Sequence, residues 1–217
     1  MCAAEIPEEH GHLADLEQST LVCACRACYL LFTHSQAGRG RYRAVPDRYR
    51  SDPAHPLSVA DWDALEIPVG LAFFLRRLEG GEVTGFYPSP AGATECRLDL
   101  QAWQRIEGSH PMLTAAAPDV EAILIYRADA GDNRPMYRGD AGDSRPTYRD
   151  DAGDHGPISR GQSSVDCFLV PIDACYELAG RMRLLWRGFD GGAEARASIA
   201  EFLDGVRSRS RAFSQDP

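Results

Sequence analysis

Apolar residues recur along the chain in two rhythms, and each predicts its own kind of element. Short unbroken runs bounded by Gly or Pro read as buried strands. They are LAFFL within residues 68–89, AILIY within Asp119–Arg127, and CFLVPI at Cys167–Ile172. In PVGLAFFLRRLEGGEVTGFYPS, two such runs flank Gly80-Gly81, a pair that can take positive φ at a tight turn, so the stretch reads as a hairpin. A third strand is expected at Ala93–Leu98, where Thr94, Cys96 and Leu98 alternate onto one face, and a short one at Arg41–Val45.

Helical spacing dominates elsewhere. Ser58 is placed to cap a short helix through VADWDALE, ended by Pro68. A helix over Asp99–Glu107 is expected to bury Leu100, Trp103 and Ile106. In DACYELAGRMRLLWRGF, the residues Cys175, Leu178, Ala179, Met182, Leu185, Trp186 and Phe189 fall on one stripe. After the break at Gly191-Gly192, Ala195, Ile199, Phe202, Leu203 and Val206 repeat that stripe. Strands followed by segregated helices indicate an α+β fold: a largely antiparallel sheet with two C-terminal helices packed on one face. This domain is assigned to 37–125 and 159–212, behind a small zinc-ribbon-like module at 1–36.

Between the last two strands, residues 126–158 carry an eleven-residue repeat: YRADAGDNRPM, YRGDAGDSRPT, YRDDAGDHGPI. Its seven aspartates invite a calcium reading, because hard cations take several carboxylate oxygens. The units nevertheless lack the alternating aspartates and terminal glutamate of a calcium loop, and none has an apolar face. The segment is expected to be a disordered surface insertion.

Composition narrows the function. With 217 residues and a net charge of −9, the chain can bury one good core and is ill suited to general nucleic-acid binding. All 23 basic residues are arginine, so lysine Schiff-base chemistry and a phosphate-loop lysine are excluded. The first residues lack the basic-then-apolar order of a secretion signal, and no apolar run reaches the ~18 residues of a membrane span, so a cytoplasmic protein without membrane insertion is expected. There, seven cysteines point to thiols or metal ligands rather than disulfides.

Three of the seven crowd into six positions of LVCACRACYLLF, as Cys23, Cys25 and Cys28. Cys25-Arg26-Ala27-Cys28 has the Cys-x-x-Cys spacing that supplies two corners of a tetrahedral zinc site. With Cys2, His10 and His12 upstream, the segment reads C-x7-H-x-H-x10-C-x-C-x-x-C, and these six residues are the candidate metal ligands. A complete ribbon would pair Cys25/Cys28 with a second Cys-x-x-Cys, and only Cys2 stands there. Zinc leads over an iron–sulfur cluster, which normally takes four cysteines. Cys96, Cys167 and Cys175 sit among core residues and read as packing. Asp166, Asp173, Glu95 and Asp99 read as turn and cap residues.

The motifs HGHLADLEQSTLVCACRACYLLF, RYRAVPDRY, IPVGLAFF, FYPSPAGATE, LVPIDACYELAG and LWRGFDGG together resemble an uncharacterised bacterial family encoded beside NiFe hydrogenase structural and maturation genes. The resemblance covers nearly the whole chain. Family members open with a full Cys-x-x-Cys; Cys2 matches its second cysteine, and His10, His12, Cys23, Cys25 and Cys28 match the rest. The resemblance implies a non-catalytic, metal-binding accessory protein whose partner is a hydrogenase subunit or maturation factor. Two other functions compete. GRGRYRAVPDRYR sets five arginines and two tyrosines against one aspartate, a pattern suited to phosphate contact and base stacking. Cys25/Cys28, with Cys23, can instead serve thiol redox or iron–sulfur chemistry, although no thioredoxin-like strand–helix context surrounds them.

Overall fold

The computed structural model describes residues 2–34, 37–128, 164–188 and 191–214. The chain begins with a three-stranded sheet. β1 (Gly11–Asp15) and β2 (Thr20–Ala24) form a hairpin in the register Leu13↔Val22, and α1 (Arg26–Leu31) follows at once. β3 (Tyr42–Ala44) pairs with the other edge of β1, giving the order β2-β1-β3, so the sheet draws its third strand from beyond the 1–36 span. Asp15, 3% exposed, organises the hairpin turn. Its Oδ1 accepts the Glu17 and Gln18 N–H groups at 3.1 and 3.2 Å, and Arg41 donates to both carboxylate oxygens.

The hydrogen-bonded Arg41 guanidinium holds the Asp15 carboxyl below the usual carboxylate range. A depressed carboxylate pKa contributes stability that is complete above the unfolded value of ~3.9 and is lost as pH falls through the folded value. Amide exchange in β1 and β2 is therefore expected to lose protection on acidification below about pH 4, and Asp15→Asn to remove that acid limb. An unchanged acid limb in the variant would assign it to another carboxylate.

The main body is a seven-stranded sheet in the order β10-β4-β9-β8-β5-β6-β7. Its strands are β4 (Arg50–Ser51), β5 (Leu71–Arg76), β6 (Val83–Ser89), β7 (Gly92–Cys96), β8 (Glu121–Ala128), β9 (Ser164–Pro171) and β10 (Arg211–Ala212). Every pairing is antiparallel except β10 with β4. Between them run α2 (Val59–Ala64), α3 (Leu100–Ser109) and α4 (Pro111–Thr114), and after β9 come α5 (Ile172–Leu185) and α6 (Gly192–Arg209).

Successive strand residues point to opposite faces of a sheet. In β5, Leu71, Phe73 and Leu75 pack under α5 and α6, whereas Ala72 and Phe74 pack under α2, α3 and α4. β8 divides the same way, with Ala122 and Leu124 against Ile123 and Ile125. The strands are unbroken apolar runs because both faces are covered. The two C-terminal helices lie on one face as expected, but helices are not confined to it: Trp62, Trp103, Ile106, Met112 and Leu113 close the other.

Local signals are met in detail. Ser58 and Asp61 form a reciprocal capping box on α2, and Asp99 caps α3 through the Gln101 and Ala102 N–H groups. Gly80 and Gly81 take φ of 80° and 67° in the β5–β6 turn. The α5 stripe is buried at Cys175, Leu178, Ala179, Met182 and Trp186, and the α6 stripe at all five expected positions. Leu100 departs from the reading: it is 57% exposed, and Ala102, Trp103 and Ile106 form the buried side of α3. Phe189 and nearly all of the aspartate repeat lie outside the described residues. No helix among the described residues is long and apolar enough to cross a membrane.

Candidate metal centre

The six candidate ligands converge on the β1–β2 hairpin, but as two separate triads. Cys2, Cys25 and Cys28 form one, and His10, His12 and Cys23 the other; within each, one ligand atom per residue lies within 4.8 Å of the others. The end of β2 at Ala24 explains the division. His12 and Cys23 are directly opposed in the hairpin, whereas Ala24 opposes Gly11 on the other face. Cys25 follows Ala24 and turns the chain into α1, so it parts from Cys23 and joins Cys28, one helical turn on.

In the first triad the Cys2 sulfur lies 3.4 Å from Cys25 Sγ and 3.4 Å from Cys28 Sγ. A disulfide would need ~2.05 Å. Thiolates at Zn–S bonds of ~2.3 Å on tetrahedral corners stand about 3.8 Å apart, close to the separation here. All three cysteines are free. Burial grades from exposed Cys2 through Cys25 to buried Cys28, so the cluster sits at the module surface with one wall inside it. The Ala4 backbone N–H, aided by the Cys28 and Cys25 thiols, lowers Cys2 to about 7, which leaves much of it as thiolate, the form that ligates metal, at neutral pH. Cys28 moves the other way: a Cys2 backbone hydrogen bond pulls it down, but its own bond to the Cys2 sulfur and its burial outweigh that pull. The donor set therefore fits a soft or borderline ion.

The surroundings are packed to hold the cluster in place. Tyr29 on α1 lies flat against the hairpin at Gly11, where a Cβ would come within 2.4 Å of its ring, and its hydroxyl donates to the Val45 carbonyl at 2.8 Å. Glycine between the two histidines is thus required by the close approach of α1.

The remaining cysteines stand apart. Cys175 is fully buried, and burial pushes its thiol up; Cys96 is raised to about 11, also by burial. Both are protonated packing groups at neutral pH. The arginine-rich stretch is tied inward: Arg41 to Asp15, Arg43 to the Pro118 carbonyl and Arg48 to Glu121, while Tyr49 is buried beneath the Arg209 guanidinium, 4.0 Å from its ring centre. By its place at the strand end, Asp173 reads as a cap. Its Oδ1 does accept the Ala174 N–H, but its Oδ2 faces His12 Nδ1 at 2.7 Å. Nothing local signals that contact, since 161 positions separate the two residues.

An α+β body carrying a cysteine–histidine cluster at its N-terminal sheet is the class that fold and site define. The chain belongs to DUF5947, a family of unknown function whose model matches residues 1–138 and 157–210. The unmatched stretch, 139–156, takes up most of the second and third aspartate repeats. No curated protein and no solved structure matches the chain.

Proposed function

We propose that this is a non-catalytic accessory protein in which Cys2, Cys25 and Cys28 hold a zinc ion that shapes the N-terminal module, and that it assists the assembly or function of a NiFe hydrogenase. The metal reading is carried by one observation: three free sulfurs, drawn from the N-terminal segment and from both ends of a Cys-x-x-Cys turn, brought to near-tetrahedral spacing. The hydrogenase setting is supported by the motif resemblance along the chain. The α+β body then serves as partner surface. The inward bonding of Arg41, Arg43 and Arg48 leaves the nucleic-acid alternative less supported than the charge pattern suggested.

Two measurements test it. Cys25→Ser/Cys28→Ser is expected to retain one zinc fewer per chain than wild type after anaerobic purification. Equal metal content, or a Cys25–Cys28 disulfide in metal-free wild type, would favour thiol redox. A pull-down from the native host is expected to recover a hydrogenase subunit or maturation factor, and recovery of neither counts against the partner assignment.

A further inference from the structure

The second triad is a ligand set in its own right. His12 sits on β1 opposite Cys23 on β2, and His10, two residues before His12, brings its ring 4.9 Å from the His12 ring in an edge-on arrangement. Both imidazoles are oriented from behind. His10 Nδ1 lies 2.9 Å from the carbonyl oxygens of Pro7 and Glu8, which only accept, so Nδ1 carries the proton and Nε2 the lone pair. His12 Nδ1 is held in the same sense by the Asp173 carboxylate. A carboxylate or carbonyl behind each ring is the arrangement that fixes a metal-ligating histidine and raises its basicity. His10 Nε2 is moreover buried without a hydrogen-bond partner, an arrangement that costs free energy unless something fills it.

The triad opens onto a groove of about 1090 Å³ between the hairpin and α5, lined also by Arg26, Tyr49, Glu177 and Arg209. We infer that His10, His12 and Cys23 form a second site for a divalent zinc-type ion, with Asp173 as its positioning residue and the fourth coordination position open to the groove. Two imidazoles and one thiolate suit a borderline ion, and a fourth position facing the groove leaves room for an exogenous ligand such as water. The site uses none of the three cysteines of the first triad, so it goes beyond the reading above and can fail while that reading stands.

The test is zinc stoichiometry and affinity on the full chain, by elemental analysis and chelator competition. Wild type is expected to hold two zinc ions per chain, and Cys25→Ser/Cys28→Ser and His12→Ala/Cys23→Ser one each. In the Cys25→Ser/Cys28→Ser background, cobalt(II) is expected to give a thiolate charge-transfer band that disappears when Cys23→Ser is added. Asp173→Asn, which removes no ligand and lies outside the N-terminal module, is expected to weaken one of the two ions about 10–100-fold at unchanged thermal stability, and to leave the other untouched. One ion in wild type that survives His12→Ala/Cys23→Ser would sink the second site and spare the first. One ion lost with either variant would show a single shared centre. Asp173→Asn binding both ions at wild-type affinity would remove its positioning role.

Discussion

Chelating the zinc ion proposed at Cys2, Cys25 and Cys28 is expected to release most of the N-terminal sheet while the seven-stranded body stays folded. The two parts differ sharply in what holds them. Among the described residues, the apolar cluster of the N-terminal module has only Leu13, Ala24 and Cys28 buried at its centre. α1 has six residues and no side-chain cap, well short of the ~12–15 residues that make an isolated helix even marginal in water. A structural zinc site supplies about 10–16 kcal/mol of apparent binding energy in small peptides, which is folding energy when the site exists only in the folded state. Loss of the ion should therefore free residues 2–10, α1 and β2 first. β1 and β3 should hold longer, because Ala14, Val45 and Tyr49 reach into the main core.

The tryptophans make the outcome separable. All three, Trp62, Trp103 and Trp186, are buried in the body. Amide exchange across residues 20–31 should rise steeply on chelation, while the tryptophan-monitored thermal transition moves little. A transition that falls in step with the amide exchange would mean that module and body unfold as one cooperative unit.

What could be read from the sequence, and what could not, follows from the range of the interactions. The stripes of α5 and α6 were legible because each is a local periodicity that its own core contacts repeat. The unbroken runs of β5, β8 and β9 showed buried strands, but an apolar run does not say what covers each face, so the second helical layer was not foreseen. Leu100 was misassigned by spacing alone. At ~100° per residue it lies about 120° from Ile106 and 160° from Ala102, off the side that meets the sheet. β4 and β10 are two-residue strands at one end of the sheet, with no periodic signal to find. At the site, the residue types and the Cys-x-x-Cys spacing named the six candidate ligands that the fold gathers at the hairpin. Only the hairpin register, which sets His12 against Cys23, divides them into two triads.

Replacing Arg48 by methionine is expected to destabilise the body by about 2 kcal/mol, below the ~3–5 kcal/mol of a fully buried pair because Arg48 itself is 43% exposed. Glu121 opens the central strand β8 at 0% exposure, and its carboxylate is fully engaged. Arg48 donates from Nε at 2.5 Å and from Nη2 at 2.7 Å, and the Ala117 N–H donates at 2.8 Å. Methionine keeps most of the arginine's length and none of its charge, so the variant leaves an anion in the core edge with a single amide donor. The cost belongs to the stranded carboxylate rather than to the value of the pair, and that distinction can be measured. Arg48→Met/Glu121→Gln removes the charge while Gln still accepts from Ala117, so it should recover most of the loss in urea unfolding followed by tryptophan fluorescence. A double variant no better than Arg48→Met would show that Arg48 acts instead through its other contacts, such as the Nη2 bond to the Ala115 carbonyl at 3.4 Å.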